Sequence, residues 1–219
     1  MMKLFGKNPV MERLRSNPQS IRKIFIQQGL PEAGYIYKKA KQHGIPVIVI
    51  PGARLANINR TRNTQGVLVD VDDFAYTLYE ELLETAWSKK RTFVFLDNLN
   101  DPQNLGAILR SLGCLGGFAV VLPTHDSVSV TEAVLRVASG GDNYVPIAKV
   151  ANLTNAIKAA KESGYSIAGA VVAGGQNLFE QSRFGKKING IENGFVFLSR
   201  RFFSVSRFHN KRSLRRAPR

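Results

Sequence analysis

From Arg91 onwards the chain alternates short runs of apolar residues with helical segments that end at glycine. The runs TFVFLDNL and GFAVVLP are nearly continuous in apolar residues, a pattern typical of strands buried on both faces of a parallel sheet. Helices are indicated in NLGAILRSLGCLG, SVTEAVLRVASGG and LTNAIKAAKESG, and further strands in VPIAKV, YSIAGAVV and GFVFL. This region is therefore predicted to be a parallel α/β sheet, in which ligands bind in loops at the carboxyl ends of the strands.

The preceding part of the chain has shorter elements and predicts a small α/β sandwich. One helix is expected to have Asn8 as its N-cap and Pro9 in its first position, and a second helix is expected to end at Gly44. Strands are indicated at residues 24–26, at residues 47–50 and in TQGVLVDV.

These two patterns predict the domain organisation. Residues 1–75 form the first domain, residues 76–90 a helix-capable linker, and residues 91–198 the parallel-sheet domain. Residues 199–219 form a basic tail of different composition.

The charge of the chain favours a polyanionic partner. It has 31 Lys and Arg against 16 Asp and Glu, a net charge of +15, so RNA or DNA is favoured over a membrane. A basic surface without a specific ligand is the open alternative. In the first domain, seven cations form either an RNA-facing patch or a solvated surface: Arg13, Arg15, Arg22, Lys23, Lys38, Lys39 and Lys41.

A few residues indicate the cellular compartment and bear on metal binding. The chain has one cysteine, Cys114, which fits a reducing cytoplasm and is expected to be a small buried apolar residue. No signal-peptide pattern and no run of about 18 apolar residues is found, so we expect a cytoplasmic protein without a membrane partner. His43, His125 and His209 lack companions at ligand spacing, and no metal site is predicted.

A cluster of polar residues follows the first strand of the parallel-sheet region. In one interpretation it is a polar turn in which Pro102 ends the strand and Asn104 caps the next helix. In the other it is a functional loop beside Arg110, which lies about 150° from the centre of the helix's apolar face and is not forced into the core. Arg110 is then either solvated or faces a pocket.

These residues carry a resemblance. The segment DNLNDPQNLGAILRSLGCLGGFAVVLP is similar to the first signature of the SpoU/TrmH branch of the SPOUT RNA methyltransferases. ASGGDNYVPIAKVANLTNAI resembles the second signature, and the region from LFGKNPVMERL to GVLVDV resembles the family's L30e-like RNA-binding module. Together these segments cover about nine-tenths of the chain.

The resemblance implies an enzyme that transfers a methyl group from S-adenosylmethionine to a ribose 2′-hydroxyl. The expected substrate is RNA, ribosomal RNA in preference to transfer RNA. The signature's asparagine and arginine fall on Asn104 and Arg110, which are therefore the expected catalytic residues. Arg110 stabilises the developing alkoxide or holds a phosphate, and Asn104 orients the arginine or the ribose. Val172 and Ala173 are expected to border the cofactor.

The family's third signature, a glycine-rich loop followed by an IPM strand and a final helix, is missing after Leu198. The residues there carry eight Lys or Arg and no Asp or Glu. A lost reading frame or a disordered RNA-binding arm would each explain this tail. The resemblance then implies an incomplete trefoil knot and a weakened cofactor pocket. The homodimer typical of the family would lack the final helix, which supplies much of its interface. Open alternatives are a catalytically impaired RNA-binding remnant and an enzyme directed at transfer RNA.

Overall fold

The computed structural model describes residues 1–58, 64–170 and 195–200, and residues 169, 170 and 195–200 by their backbone. Two compact units are present. The first comprises Met1–Ala75, Leu105–Cys114 and Ser129–Tyr144, and the second comprises the described residues of Tyr76–Asn104, Leu115–Val128 and Val145–Arg219. Two segments from the later part of the sequence therefore belong to the same unit as the first 75 residues.

The first unit is built on a four-stranded sheet. Its elements in chain order are β1 (Met2–Phe5), α1 (Lys7–Ser16), β2 (Ile21–Gln27), α2 (Ala33–Gln42), β3 (Val47–Ile50), α3 (Gly52–Ile58) and β4 (Val67–Val71). The strand order is β1-β4-β2-β3. Strand β4 is antiparallel to β1 and β2, whereas β2 and β3 are parallel.

Both faces of this sheet are covered at its central strand β4. Val67, Leu68 and Val69 are consecutive residues of β4 and all are fully buried. Because successive side chains of a strand point to opposite faces, burial of all three requires cover on both sides. This arrangement fits the predicted sandwich. Strand β1 and helix α3 have no counterpart in the sequence prediction.

Helix α1 begins two residues earlier than expected. Its N-cap is Gly6, with φ of 98°, a backbone conformation that glycine adopts without steric cost. Asn8 is therefore a helical residue and not the cap. Pro9 lies at the third helical position, where its missing N–H removes no helical hydrogen bond.

The second unit contains a parallel five-stranded sheet. After β4, the helices and strands of the described residues are α4 (Tyr79–Ser88), β5 (Thr92–Asp97), α5 (Pro102–Leu115), β6 (Phe118–Pro123), α6 (Glu132–Ala138), β7 (Ile147–Val150), α7 (Leu153–Glu162), β8 (Ser166–Ala170) and β9 (Phe195–Arg200). The order β7-β6-β5-β9-β8 is parallel throughout. The predicted α/β class with a parallel sheet is confirmed.

An aromatic core holds α4 and α7 in this second unit. Phe93 and Phe95 of β5 pack with Tyr79 of α4 and with Tyr165, at ring-centroid distances of 5.2 to 6.3 Å. The Tyr79 hydroxyl donates a hydrogen bond of 2.6 Å to the Ala156 carbonyl of α7. The segment predicted as a linker thus forms a helix with one face in this core, because its apolar residues lie at helical spacing.

Two sequence expectations have structural outcomes here. Cys114 is exposed near the end of α5, so the expectation that it is buried is wrong. None of the helices in the described part of the chain combines the length and apolar character needed to cross a membrane. The expected incomplete knot concerns residues 171–194 and 201–219, which lie outside the described residues.

Candidate active site

The predicted functional loop connects β5 to α5. Helix α5 begins at Pro102, and the Asp101 carboxylate accepts a hydrogen bond of 2.8 Å from the Gln103 backbone N–H. Asp101 therefore caps the helix. Asn104 already lies inside the helix, so the interpretation in which Asn104 caps it is wrong. The side chain of Asn104 is not needed for capping and is available for another role.

The loop is held by the segment that follows β6. The Leu99 carbonyl accepts hydrogen bonds from the Val128 backbone N–H at 2.7 Å and from the Ser127 hydroxyl at 3.2 Å. Asn98 adopts a positive φ of 52°, and the Asn100 amide donates to its side-chain oxygen. Since β5 and β6 are parallel neighbours, the loops at their carboxyl ends form one edge of the sheet.

Arg110 lies on an exposed stripe of an otherwise packed helix. Leu105, Ile108 and Leu109 are buried, whereas Arg110 is exposed. Its side chain forms no hydrogen bond or ion pair with any described residue. The predicted position of Arg110, away from the apolar face of the helix, agrees with its exposure. The five N–H donors of its guanidinium are available to a ligand.

Asn104 and Arg110 are separated by helical geometry. Six residues of an α-helix correspond to about 9 Å along the axis and about 120° around it. No hydrogen bond joins the two side chains in the described structure. The role of Asn104 in orienting the arginine or the ribose stays a prediction.

The backbone around Arg110 is tightly packed within the first unit. A Cβ atom added to Gly106 would lie 2.5 Å from Cβ of Val137, and one added to Gly113 would lie 2.8 Å from Cα of Gly141. Real Cβ atoms do not approach this closely, so glycine is required at both positions for helix α5 to make these contacts. The helix segment that carries Arg110 is thus rigidly seated.

The seven cations of the first domain differ in their contacts. Arg13 is buried and pairs with Asp142, and Arg22 forms a two-pronged ion pair with Asp72, which lowers the pKa of the Asp72 carboxyl. Arg13 therefore cannot belong to an RNA-facing patch. On α2, by contrast, Lys38 and Lys41 are exposed and Lys39 is half-buried.

Comparison with known proteins identifies the family. Residues 91–197 match the SpoU rRNA methylase family, and residues 3–77 match the family of RNA 2′-O ribose methyltransferase substrate-binding domains. A Staphylococcus haemolyticus protein assigned to the TrmH family of tRNA/rRNA methyltransferases is 33% identical over 171 residues, which are 76% of this chain and 68% of that protein. The chain belongs to the SpoU/TrmH family.

Other relatives extend beyond the matched region. An uncharacterized tRNA/rRNA methyltransferase of Mycobacterium ulcerans is 32% identical over 181 residues, which cover 81% of this chain and 58% of the relative. The SpoU/TrmH chain thus spans between about six-tenths and seven-tenths of the relatives it matches.

Solved structures show the same fold. The AdoMet-bound rRNA methyltransferase from Sinorhizobium meliloti superposes with a TM-score of 0.69 at 19% identity, over 95% of this chain and 75% of that one. The SpoU methyltransferase AviRb from Streptomyces viridochromogenes, solved with AdoMet, gives a TM-score of 0.65 at 15% identity, over 90% and 71%. The likeness shows that the chain has the α/β fold of these structures.

The cofactor residues expected in this SpoU/TrmH chain, Val172 and Ala173, lie outside the described residues. The described backbone brings β8 to its end at Ala170, beside β9 and on the same edge as the loop after β5. This topology fits a ligand bound at the carboxyl edge of the sheet. In residues 1–58 and 64–168, no three His, Cys, Asp or Glu side chains cluster as metal ligands would.

Two groups of residues were not predicted from the sequence. Tyr35 and Tyr37 of α2 are 37% and 42% exposed beside the lysines, and the segment GYIYKKAKQ contained that signal as aromatic residues interleaved with cations. The buried pair between Arg13 and Asp142 had no such signal, because its members are 129 positions apart.

Proposed function

We propose that this chain is an S-adenosylmethionine-dependent RNA methyltransferase that acts on a ribose 2′-hydroxyl in the cytoplasm, with ribosomal RNA preferred over transfer RNA. The observation that carries the proposal is the state of Arg110. It is an unpartnered guanidinium among the described residues, on a rigidly packed helix, six positions after an asparagine that has no capping role.

The chemistry requires a cation of this kind. A ribose hydroxyl is a weak nucleophile at neutral pH and develops negative charge as it loses its proton. The Arg110 guanidinium can donate hydrogen bonds to that oxygen or to an adjacent phosphate. The Asn104 amide both donates and accepts, so it can hold the ribose in line. S-adenosylmethionine supplies an activated methyl group when bound, so the protein mainly contributes alignment.

The first unit offers a surface for the RNA. Helix α2 contains no Asp or Glu and exposes Lys38, Lys41, Tyr35 and Tyr37. Lysines neutralise phosphates and exposed tyrosines stack on unpaired bases, a combination found in proteins that bind single-stranded nucleic acid. Near the start of α2 an open cleft of about 610 Å³ presents side-chain amides, and it is lined by Lys7, Asn8, Gln27, Gly29, Leu30, Pro31, Gln65 and Gly66.

The proposal is tested by single-turnover methyl transfer. The purified chain is incubated in excess over ribosomal or transfer RNA with S-adenosylmethionine labelled in its methyl group. Incorporated label should survive alkaline hydrolysis in a dinucleotide, because a 2′-O-methyl group blocks cleavage of the following phosphodiester. Arg110→Ala should abolish transfer while RNA affinity changes little. Label found on a base, or transfer by Arg110→Ala at the wild-type rate, would contradict the assignment.

A second candidate function is RNA binding without methyl transfer. The match to the methylase family ends at residue 197, and the sequence that follows lacks the family's third signature. Calorimetric titration with S-adenosylmethionine distinguishes the candidates when this chain is compared with a version that carries a restored third signature. Binding by the restored version only, with RNA binding by both, supports the second candidate. Equal cofactor binding by both supports the first.

A further inference from the structure

The first unit contains a buried ion pair between residues distant in sequence. The Arg13 guanidinium of α1 donates a hydrogen bond of 2.5 Å to the carboxylate of Asp142, and the two side chains are 7% and 1% exposed. Burial raises the pKa of the Asp142 carboxyl, and the charge of Arg13 opposes that shift. Such a pair is costly to desolvate, and apolar residues of similar volume would often be as stable. We therefore expect the ion pair to contribute to the positions of neighbouring segments and not to the free energy of unfolding.

Asp142 belongs to the turn Ser139–Tyr144 that follows α6, and a second contact ties this turn to α1. The Tyr144 hydroxyl donates a hydrogen bond to the Glu12 carboxylate. A Cβ atom added to Gly140 would lie 2.4 Å from Cγ of Glu12, and Gly140 has a φ of 95°. The turn is thus held against α1 by two adjacent side chains, Glu12 and Arg13.

The same turn contacts the backbone of Arg110. A Cβ atom added to Gly141 would lie 2.6 Å from the Leu109 carbonyl oxygen and 2.8 Å from Cα of Arg110. Backbone therefore rests directly on backbone, with no side chain to absorb a shift. A displacement of the turn by a few tenths of an ångström would move helix α5 at Arg110 or open a gap beneath it.

We propose that Arg13 and Asp142 are positioning residues for Arg110. Helix α1 fixes the turn through the ion pair, and Gly141 of the turn fixes the backbone from which Arg110 projects. This inference rests on the proposed function, because it assigns the purpose of the pair to the reaction of Arg110. It also means that the first 75 residues of the chain contribute to the catalytic helix as well as to RNA binding.

The experiment must separate positioning from stability. The double variant Arg13→Met with Asp142→Leu removes both charges together and leaves apolar side chains in their place, so its midpoint of thermal unfolding should stay within about 5 °C of wild type. The matched control is Arg22→Met with Asp72→Leu, which removes an exposed pair of the same chemistry in the same unit.

Three properties are then measured in each protein. Hydrogen exchange of the backbone amides from Arg110 to Cys114 is recorded in the free protein and needs no activity. Single-turnover transfer and RNA affinity are recorded separately. We expect the Arg13/Asp142 double variant to exchange at least about tenfold faster at these amides and to transfer methyl at least about tenfold more slowly, with RNA affinity within about twofold of wild type. The control should match wild type in all three.

Two further variants cover a failure of the double variant to fold. Arg13→Lys keeps the charge and loses the planar fork, so it should fold and show the same changes in smaller degree. Gly141→Ala leaves the ion pair intact and displaces α5 directly, so it should reproduce the slower transfer and the faster exchange.

The outcomes separate this inference from the proposed function. Wild-type exchange in α5 together with wild-type transfer in the folded double variant, or in Arg13→Lys if the double variant does not fold, would overturn the positioning role. A wild-type chain that transfers no methyl group would instead overturn the proposed function, whereas the exchange measurement would still decide whether the pair holds the helix.

Discussion

Helices α5 and α2 both expose positively charged side chains, but they differ in the number of these side chains and in the packing of the helix that carries them. Along α5, Arg110 is the only charged residue, and the helix around it is seated by glycine contacts at Gly106 and Gly113. Helix α2 instead exposes two lysines and two tyrosines and contains no acidic residue. We infer that the charge of Arg110, on a closely packed helix, acts through its position relative to the substrate. The lysines of α2 act through their total positive charge.

Charge-preserving substitutions test this difference most strongly. Arg110→Lys keeps the charge but loses the planar fork of donors, so we expect single-turnover transfer to fall about 100-fold or more, corresponding to about 2.7 kcal/mol or more of transition-state stabilisation. Lys38→Arg also keeps the charge, and on a surface that acts through its sum it should leave both transfer and RNA affinity unchanged. A threefold or smaller loss in Arg110→Lys would show that α5, like α2, contributes only charge.

The structural features that depend on local periodicity could be predicted from the sequence. The exposure of Arg110 follows from the spacing of Leu105, Ile108 and Leu109, and the parallel sheet follows from apolar runs alternating with helices. Local patterns contain no information on which segments meet in space. The glycine contacts of Gly141 with α5 therefore had no signal, since they depend on backbones that approach only after folding.

The same limit explains the errors in the first unit. A polar residue before proline is a good N-cap signal, yet Gly6 caps α1 because the chain must turn there with a positive φ. In the sequence, Arg13 cannot be distinguished from a surface cation. In the structure it is buried and paired with Asp142, which lies in a later segment. Charge alone cannot distinguish an arginine that faces solvent from one that is paired 129 positions away.

The stacking surface of α2 is expected to contribute the next largest effect. Tyr35→Ala and Tyr37→Ala should each weaken binding to single-stranded RNA by about 1–3 kcal/mol if a base stacks on the ring. The phenylalanine variants keep the ring and should bind like wild type. Fluorescence anisotropy with a labelled oligonucleotide gives the affinities. Equal RNA affinities of the alanine and phenylalanine variants would show that stacking makes no contribution and that α2 binds RNA through charge alone.

Substitution of the α2 lysines should change RNA affinity least per residue, but it should change the salt dependence of that affinity in a characteristic way. Each of Lys38→Ala and Lys41→Ala removes one potential phosphate contact, so the slope of log affinity against log salt should become shallower by about 0.7 per substitution on single-stranded RNA, and the double variant should show the sum. Affinity itself should change only a few-fold near physiological salt. The matched substitution is Lys89→Ala on the exposed end of α4, which should leave the slope unchanged. If Lys89→Ala lowers the slope as much as Lys38→Ala does, RNA binding follows net charge over the whole molecule, and the difference between α2 and the rest of the surface disappears.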